Sequence, residues 1–140
     1  MKKLATIFIL LLIASIIDAQ TVIIKANNAA SSIGTNSIYQ PWGEWKEVKV
    51  FIFIDFENET IKIDNQFADK FYIRETSDKV LKTDNDGDIF SEYVNDCYDK
   101  DGIPCTVTSR IWKDYNITHI YIYYSNMRYV YEGKIIEATE

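Results

Sequence analysis

Apolar and polar side chains alternate with a period of two along much of the chain. From Trp45 to Phe56, Val48, Val50, Ile52, Ile54 and Phe56 fall on one face and Lys49, Phe51, Phe53 and Asp55 on the other, the pattern of a strand. Glu57-Asn58-Glu59 then turns the chain into Ile61 and Ile63, so the pair reads as a hairpin. The same reasoning predicts strands at Lys70–Glu75, Ile89–Tyr98, Pro104–Trp112, Thr118–Tyr124 and Met127–Lys134. Asp-Asn-Asp-Gly, Asp-Lys-Asp-Gly, Lys-Asp-Tyr-Asn and Ser-Asn separate the later ones. At a pitch of about ten residues, the expected fold is all-β, an antiparallel meander of about seven or eight strands closed as a small barrel or folded as a sandwich. Ala26 to Gln40, rich in Asn, Ser and Ala, breaks the alternation, so residues 20–40 are expected to form an irregular arm of a single domain spanning 20–140.

The first residues follow a different rule. Lys2 and Lys3 precede an uncharged run from Leu4 to Ile17, and Ala19 before Gln20 suits signal-peptidase cleavage, so residues 1–19 read as a signal peptide. The run has 14 residues and meets Asp18, whereas about 20 apolar residues are needed to span a bilayer, so no stable membrane span is expected in the mature protein. The first cysteine is Cys97, which leaves no lipobox cysteine. The expected location is secreted or periplasmic.

Composition sharpens the strand reading. Four of the five leucines belong to the leader, leaving Leu81 beside 17 isoleucines, seven valines and ten tyrosines, a β-branched and aromatic bias that suits strands. Residues 20–140 hold 20 acidic and 13 basic side chains, a charge of −7. Nucleic acid is therefore excluded as a partner on charge. The acidity is local: seven acidic residues and Lys100 alone lie between Asp84 and Asp101. Such an edge favours a cation or a basic partner.

In Cys97-Tyr-Asp-Lys-Asp-Gly-Ile-Pro-Cys105 a hairpin turning at Asp99–Gly102 sets the two cysteines opposite each other. A disulfide is expected there, closing a loop worth about 2.6 kcal/mol in the chain-entropy account. Asp84, Asp86 and Asp88 offer clustered oxygens of the kind calcium takes, but the EF-hand register fails, with Lys82 at its first position and Tyr93 at its twelfth. An ordinary solvated turn is the simpler reading, and no cofactor is called for.

The one histidine, His119, shares a strand face with Tyr121 and Tyr123, opposite Ile120, Ile122 and Tyr124. No nucleophile motif accompanies it. Tyr121 and Tyr123 on one strand, with Met127, Tyr129 and Tyr131 on the next and Trp112 and Tyr115 close in sequence, are expected to form an aromatic field. Such a field can serve as a platform for a glycan, a peptide or a partner protein, or it can be the wall of a barrel. Phe51 and Phe53 also need cover, from the 26–40 arm or from another subunit.

Gly43-Glu-Trp45 opening the first long strand, with Arg128 in the last, resembles the G-x-W and late arginine of lipocalin-like barrels, which implies an arginine packed on that tryptophan near the closed end. Trp45-Lys-Glu-Val, Phe53-Ile-Asp, the Cys97–Cys105 segment, Tyr121-Ile-Tyr-Tyr and Tyr129-Val-Tyr131, with the leader, resemble small uncharacterised secreted proteins of Bacteroidetes-type bacteria, which implies location but no activity. A non-catalytic binding module is the first functional expectation, its ligand a glycan, a small apolar molecule or a protein. A structural or protein-interaction domain and a small secreted hydrolase are the alternatives.

Overall fold

The computed structural model describes residues 21–139; the expected signal peptide and its expected cleavage site lie outside them. Ten strands follow in order: β1 (Thr21–Thr35), β2 (Ile38–Tyr39), β3 (Lys46–Asp55), β4 (Thr60–Asp64), β5 (Lys70–Thr76), β6 (Val80–Thr83), β7 (Ile89–Asp99), β8 (Pro104–Trp112), β9 (Ile117–Tyr123) and β10 (Met127–Thr139). Successive antiparallel pairing runs β3-β4-β5-β7-β8-β9-β10, and β1 pairs with both β3 and β10. The result is a closed, eight-stranded antiparallel barrel, which decides between barrel and sandwich. β6 lies outside that ring: β5 takes the C-terminal part of the edge of β7 and β6 the N-terminal part, Val80 opposite Glu92 and Thr83 opposite Ile89.

The closing strand is the segment expected to be an irregular arm, and that expectation is corrected. Asn27 is bulged out of the ladder with β10, where Ala26 pairs with Gly133 and Asn28 with Glu132, and in the ladder with β3 it stands against both Val48 and Lys49, between the pairs Ala26–Val50 and Asn28–Glu47. The bulge reverses which side chains point inward: Val22, Ile24 and Ala26 face the core before it, and after it Ala29 and Ser31 lie opposite Tyr131 and Tyr129. Small residues there accommodate the two tyrosine rings, so the alternation is present but carries little hydropathy. Opposite the bulge, a Cβ on Gly133 would stand 2.1 Å from the Lys25 carbonyl oxygen, so only glycine closes this seam.

Isoleucines dominate the interior. Ile52, Ile61, Ile120 and Ile122 are fully enclosed, with Val22, Ile24, Ile54, Ile63, Phe71 and Val107 around them. This core fills the end of the barrel where the chain enters β1. Toward the other end the inward residues become tyrosines and small side chains, and the interior opens.

Two matching turns set the register of β7. At Asp84, Oδ1 accepts the amides of Asp86 and Asp88, each at 2.9 Å, and the carbonyl accepts Gly87 N–H at 3.1 Å. At Asp99, Oδ1 accepts the amides of Asp101 and Ile103, each at 2.9 Å, and the carbonyl accepts Gly102 N–H at 2.9 Å. Gly87 and Gly102 take φ of 85° and 80°, where a side chain is strained. The second turn places Cys97 opposite Cys105 as expected. The expected disulfide is not there: both thiols are free and buried. Strand pairing supplies proximity, whereas the bond itself is an oxidation that the fold does not perform. Burial pushes both thiols up to about 12, so they stay protonated, and Cys97 donates to the Asn95 carbonyl at 3.6 Å.

Phe51 and Phe53 stay on the outer surface of β3, 6.4 Å apart. Their ladder neighbours on that face are Lys25, Ile23, Asp64 and Lys62, so the 26–40 segment does not cover them. Among the described residues no helix is long and apolar enough to cross a membrane.

Candidate functional site

The expected aromatic field divides between the two sides of the barrel wall. Arg128 pairs with Tyr123, Tyr129 with Ile122, Val130 with Tyr121 and Tyr131 with Ile120. Facing residues share a side, so Tyr129 and Tyr131 join the isoleucines inside while Tyr121, Tyr123 and His119 look outward. One field becomes two.

The outer one is roofed by the chain itself. After a two-residue turn at Asn36 and Ser37, both at positive φ, the β1–β2 hairpin and the following strap, residues 40–45, lie across β10 and β9. Tyr39 reaches Tyr123 at 5.9 Å, Trp42 reaches Tyr121 at 5.9 Å and Trp45 reaches His119 at 6.0 Å. Arg128 pins the strap: its guanidinium lies 3.9 Å from the Trp42 ring and 5.0 Å from Tyr39, and it donates to the Gln40 carbonyl at 3.0 Å and to Ser32 Oγ at 3.2 Å. The late arginine thus meets Trp42, three residues ahead of Trp45. Tyr39 also donates its hydroxyl to the Tyr124 carbonyl.

Below the strap, Glu92 is buried on the outer face and accepts Lys82 at 2.6 Å and Arg110 at 2.8 Å. Burial opposes its charge, yet those two cations hold its carboxyl below the usual range. Arg110 in turn covers Tyr121 at 4.9 Å and Phe90 at 5.3 Å. His119 sits between Trp45 and Trp112, with Nε2 2.8 Å from Glu132 and Nδ1 3.1 Å from the Tyr121 hydroxyl. Among the described residues no serine, threonine or cysteine is hydrogen-bonded to it, which leaves a packed, oriented imidazole with no nucleophile to activate. The carboxylates whose acidity the fold changes, Asp55, Asp84, Glu92 and Asp99, are all made more acidic, which suits fixed charge and not general-acid chemistry.

Trp112 and Tyr115 serve the acidic turn. Trp112 Nε1–H donates to Asp84 Oδ2 and the Tyr115 hydroxyl to Asp88 Oδ1, both at 2.9 Å. Asp84, Asp86 and Asp88 can bring one oxygen each within 4.8 Å of the others. Both oxygens of Asp84 are nevertheless engaged by the turn and by Trp112, and the sister turn holds the same shape with Ile103 in the place of Asp88. The cluster is accounted for by turn geometry.

The inner field faces open space. A cavity of about 1120 Å³ occupies the barrel mouth, a little above the usual ~300–1,000 Å³ of small-molecule pockets. Tyr124, Tyr129 and Tyr131 line it with Val48, Val50 and Ala29. Tyr129 lies between the other two: Tyr124 stacks at 6.3 Å and 24°, and Tyr131 stands perpendicular at 6.0 Å and 84°. Their hydroxyls are tethered, Tyr124 donating to Asp99 Oδ2 at 2.9 Å and Tyr131 accepting Asn65 Nδ2 at 3.4 Å. Burial pushes the phenols of Tyr129 and Tyr124 up, and Tyr124's bond to Asp99 adds to this, so both remain neutral donors. Phe67, Ile103 and Met127 are exposed at the rim of the mouth. Lys100 fastens two rim loops together by donating to the Phe67 carbonyl at 2.7 Å.

Sequence reasoning brought Tyr129 and Tyr131 to this site but missed Tyr124, Asn65, Asp69 and Asp99. Tyr124 carried a usable signal, since it shares its face with the buried Ile122. Loop residues Asn65 and Asp69 carried none. No family model matches the chain, nor does any curated protein or solved structure.

Proposed function

We propose that the protein is a non-catalytic binding module, exported by its N-terminal segment, that holds a small amphiphilic molecule in the mouth of its barrel in the manner of lipocalin-like proteins. The observation that carries this reading is the tyrosine-lined cavity beneath exposed Phe67, Ile103 and Met127. Monomeric domains seldom leave apolar side chains grouped around an opening without use for them. The outer tyrosines are already occupied by Tyr39, Trp42 and two arginines, which argues against a surface platform.

The test is titration of the purified protein with N-phenyl-1-naphthylamine, a neutral probe that fluoresces in apolar surroundings. Saturable binding is expected, weakened about tenfold by Tyr129→Ala and unchanged by Tyr121→Ala and Tyr123→Ala. Absence of saturable binding, or equal losses from inner and outer variants, overturns the reading. A second reading, a protein-interaction domain, draws on Leu81 and Ile89, which are exposed on one face where β6 meets β7.

A further inference from the structure

We propose that the barrel mouth selects organic cations, that is, ammonium compounds carrying an alkyl or aryl tail. This rests on the mouth being a binding site and names the class of ligand.

The charge at different depths carries the argument. Glu44, Asp64, Lys46 and Lys49 are exposed around the opening, whereas Asp69 and Asp99 are half-buried against the cavity. The fixed charge nearer the tyrosines is therefore negative. Neither aspartate has a cationic side chain in salt-bridge contact among the described residues. Their hydrogen bonds come from neutral donors: Asp69 Oδ2 accepts Asn65 Nδ2 at 2.9 Å, while Asp99 accepts two backbone amides and the Tyr124 hydroxyl. Lys100, in the same turn as Asp99, spends its ammonium on the Phe67 carbonyl. Desolvation works against the charge of Asp99, but these donors, with a smaller contribution from the nearby charge of Lys100, hold it below the usual carboxylate range. Two carboxylates thus stand beside a cavity with no cationic side chain of the described residues in salt-bridge contact with them.

The tyrosines complete the chemistry. An aromatic face attracts a cation through its ring quadrupole, and several faces at differing angles suit an ammonium group better than any single plane. The stacked Tyr124–Tyr129 pair and the perpendicular Tyr131 provide that range of orientations. Partial withdrawal from water strengthens both terms. Phe67, Ile103 and Met127 then lie where a tail would leave the mouth. A fatty-acid carboxylate placed there would meet two like charges and the negative faces of the rings.

Three ten-carbon competitors test this below their micellar concentrations: decyltrimethylammonium, decanol and decanoate, each displacing N-phenyl-1-naphthylamine from the full chain as purified. Decyltrimethylammonium is expected to displace the probe at about tenfold lower concentration than decanoate, with decanol between them. Added salt should narrow that gap. Asp69→Asn, which leaves the Asp99 turn intact, should reduce the cation's advantage over decanol by about threefold, and Asp69→Asn with Asp99→Asn should abolish it, each competitor being compared with decanol on the same variant. Tyr129→Leu, which keeps an apolar side chain, should weaken the cation more than decanol. Decanoate matching or exceeding the cation overturns the proposal and leaves the mouth as an unselective apolar site. If the probe itself does not bind, the mouth reading and this proposal fall together.

Discussion

Tyr121 and Tyr123 differ from Tyr129 and Tyr131 by one step of strand parity, and that step decides what each pair does. Both pairs lie on adjacent strands within a few residues of one another. The outer pair is sandwiched between its own chain and the sheet, with Trp42 and Tyr39 above and Arg110 alongside. The inner pair, joined by Tyr124, keeps part of its ring surface turned to an opening of about 1120 Å³. A tyrosine cluster is a candidate site only where the protein has not already stacked something on it. Outside, the chain supplies the aromatic and cationic partners that a ligand would otherwise bring.

The harshest way to break the comparison is to open the seam both clusters share. Gly133→Ala would press a methyl group to 2.1 Å from the Lys25 carbonyl oxygen, and is expected to cost about 3 kcal/mol in urea unfolding and to impair probe binding with it. Arg128→Ala separates the two clusters. It removes the cation between Tyr39 and Trp42, one hydrogen bond to the strap and one to Ser32 of β1, so a loss of about 2 kcal/mol and a shift in tryptophan emission are expected, with binding at the mouth retained. Equal damage to the mouth would show that the strap also shapes the cavity.

These outcomes mark what the sequence made legible. The strand through Ile61 and Ile63 was plain because these inward residues are large and Thr60, Lys62 and Asp64 on its other face are polar, and parity alone put Ile120 and Ile122 in the core. β1 was not legible, because its inward Ala29 and Ser31 are small to make room for Tyr131 and Tyr129 and because the bulge at Asn27 shifts its phase. The strap was equally hidden: Trp42 and Tyr39 have no periodic neighbours, and their partners Tyr121, Tyr123, Tyr124 and Arg128 lie about 80 residues or more further along the chain. Candidate residues were recovered as types, but grouping Tyr121 with Tyr129 needed the β9–β10 register, which fixes Tyr129 against Ile122.

A gentler variant probes the charge beneath the outer cluster. Burial works against the charge of Glu92, yet Lys82 and Arg110 hold its carboxyl below the usual carboxylate range. A carboxyl depressed on folding contributes stability that is fully present above its unfolded value and lost as pH falls through its folded one. Glu92→Gln should therefore cost about 1.5 kcal/mol at neutral pH, and its unfolding curve should converge on that of the parent in acid. A constant difference across that range would mean that packing, and not charge, is what Glu92 supplies.

The finest test compares the two matched turns, one on each side of the wall. Asp84 is made acidic first by the Asp88 amide and then by Trp112, whereas Asp99 is made so by Ile103 and Tyr124 against its own desolvation. Trp112→Phe and Tyr124→Phe each delete one donor and keep an aromatic ring. In carboxyl titrations followed by NMR, Trp112→Phe should raise Asp84 alone and Tyr124→Phe should raise Asp99 alone, the latter with a stability loss near ~1 kcal/mol. Because Asp99 stays ionised at neutral pH and the ring at position 124 survives, Tyr124→Phe should leave the preference for decyltrimethylammonium in place. Loss of that preference would assign the recognition to the phenol hydroxyl, and the inner tyrosines would then act as hydrogen-bond donors and not as faces for a cation.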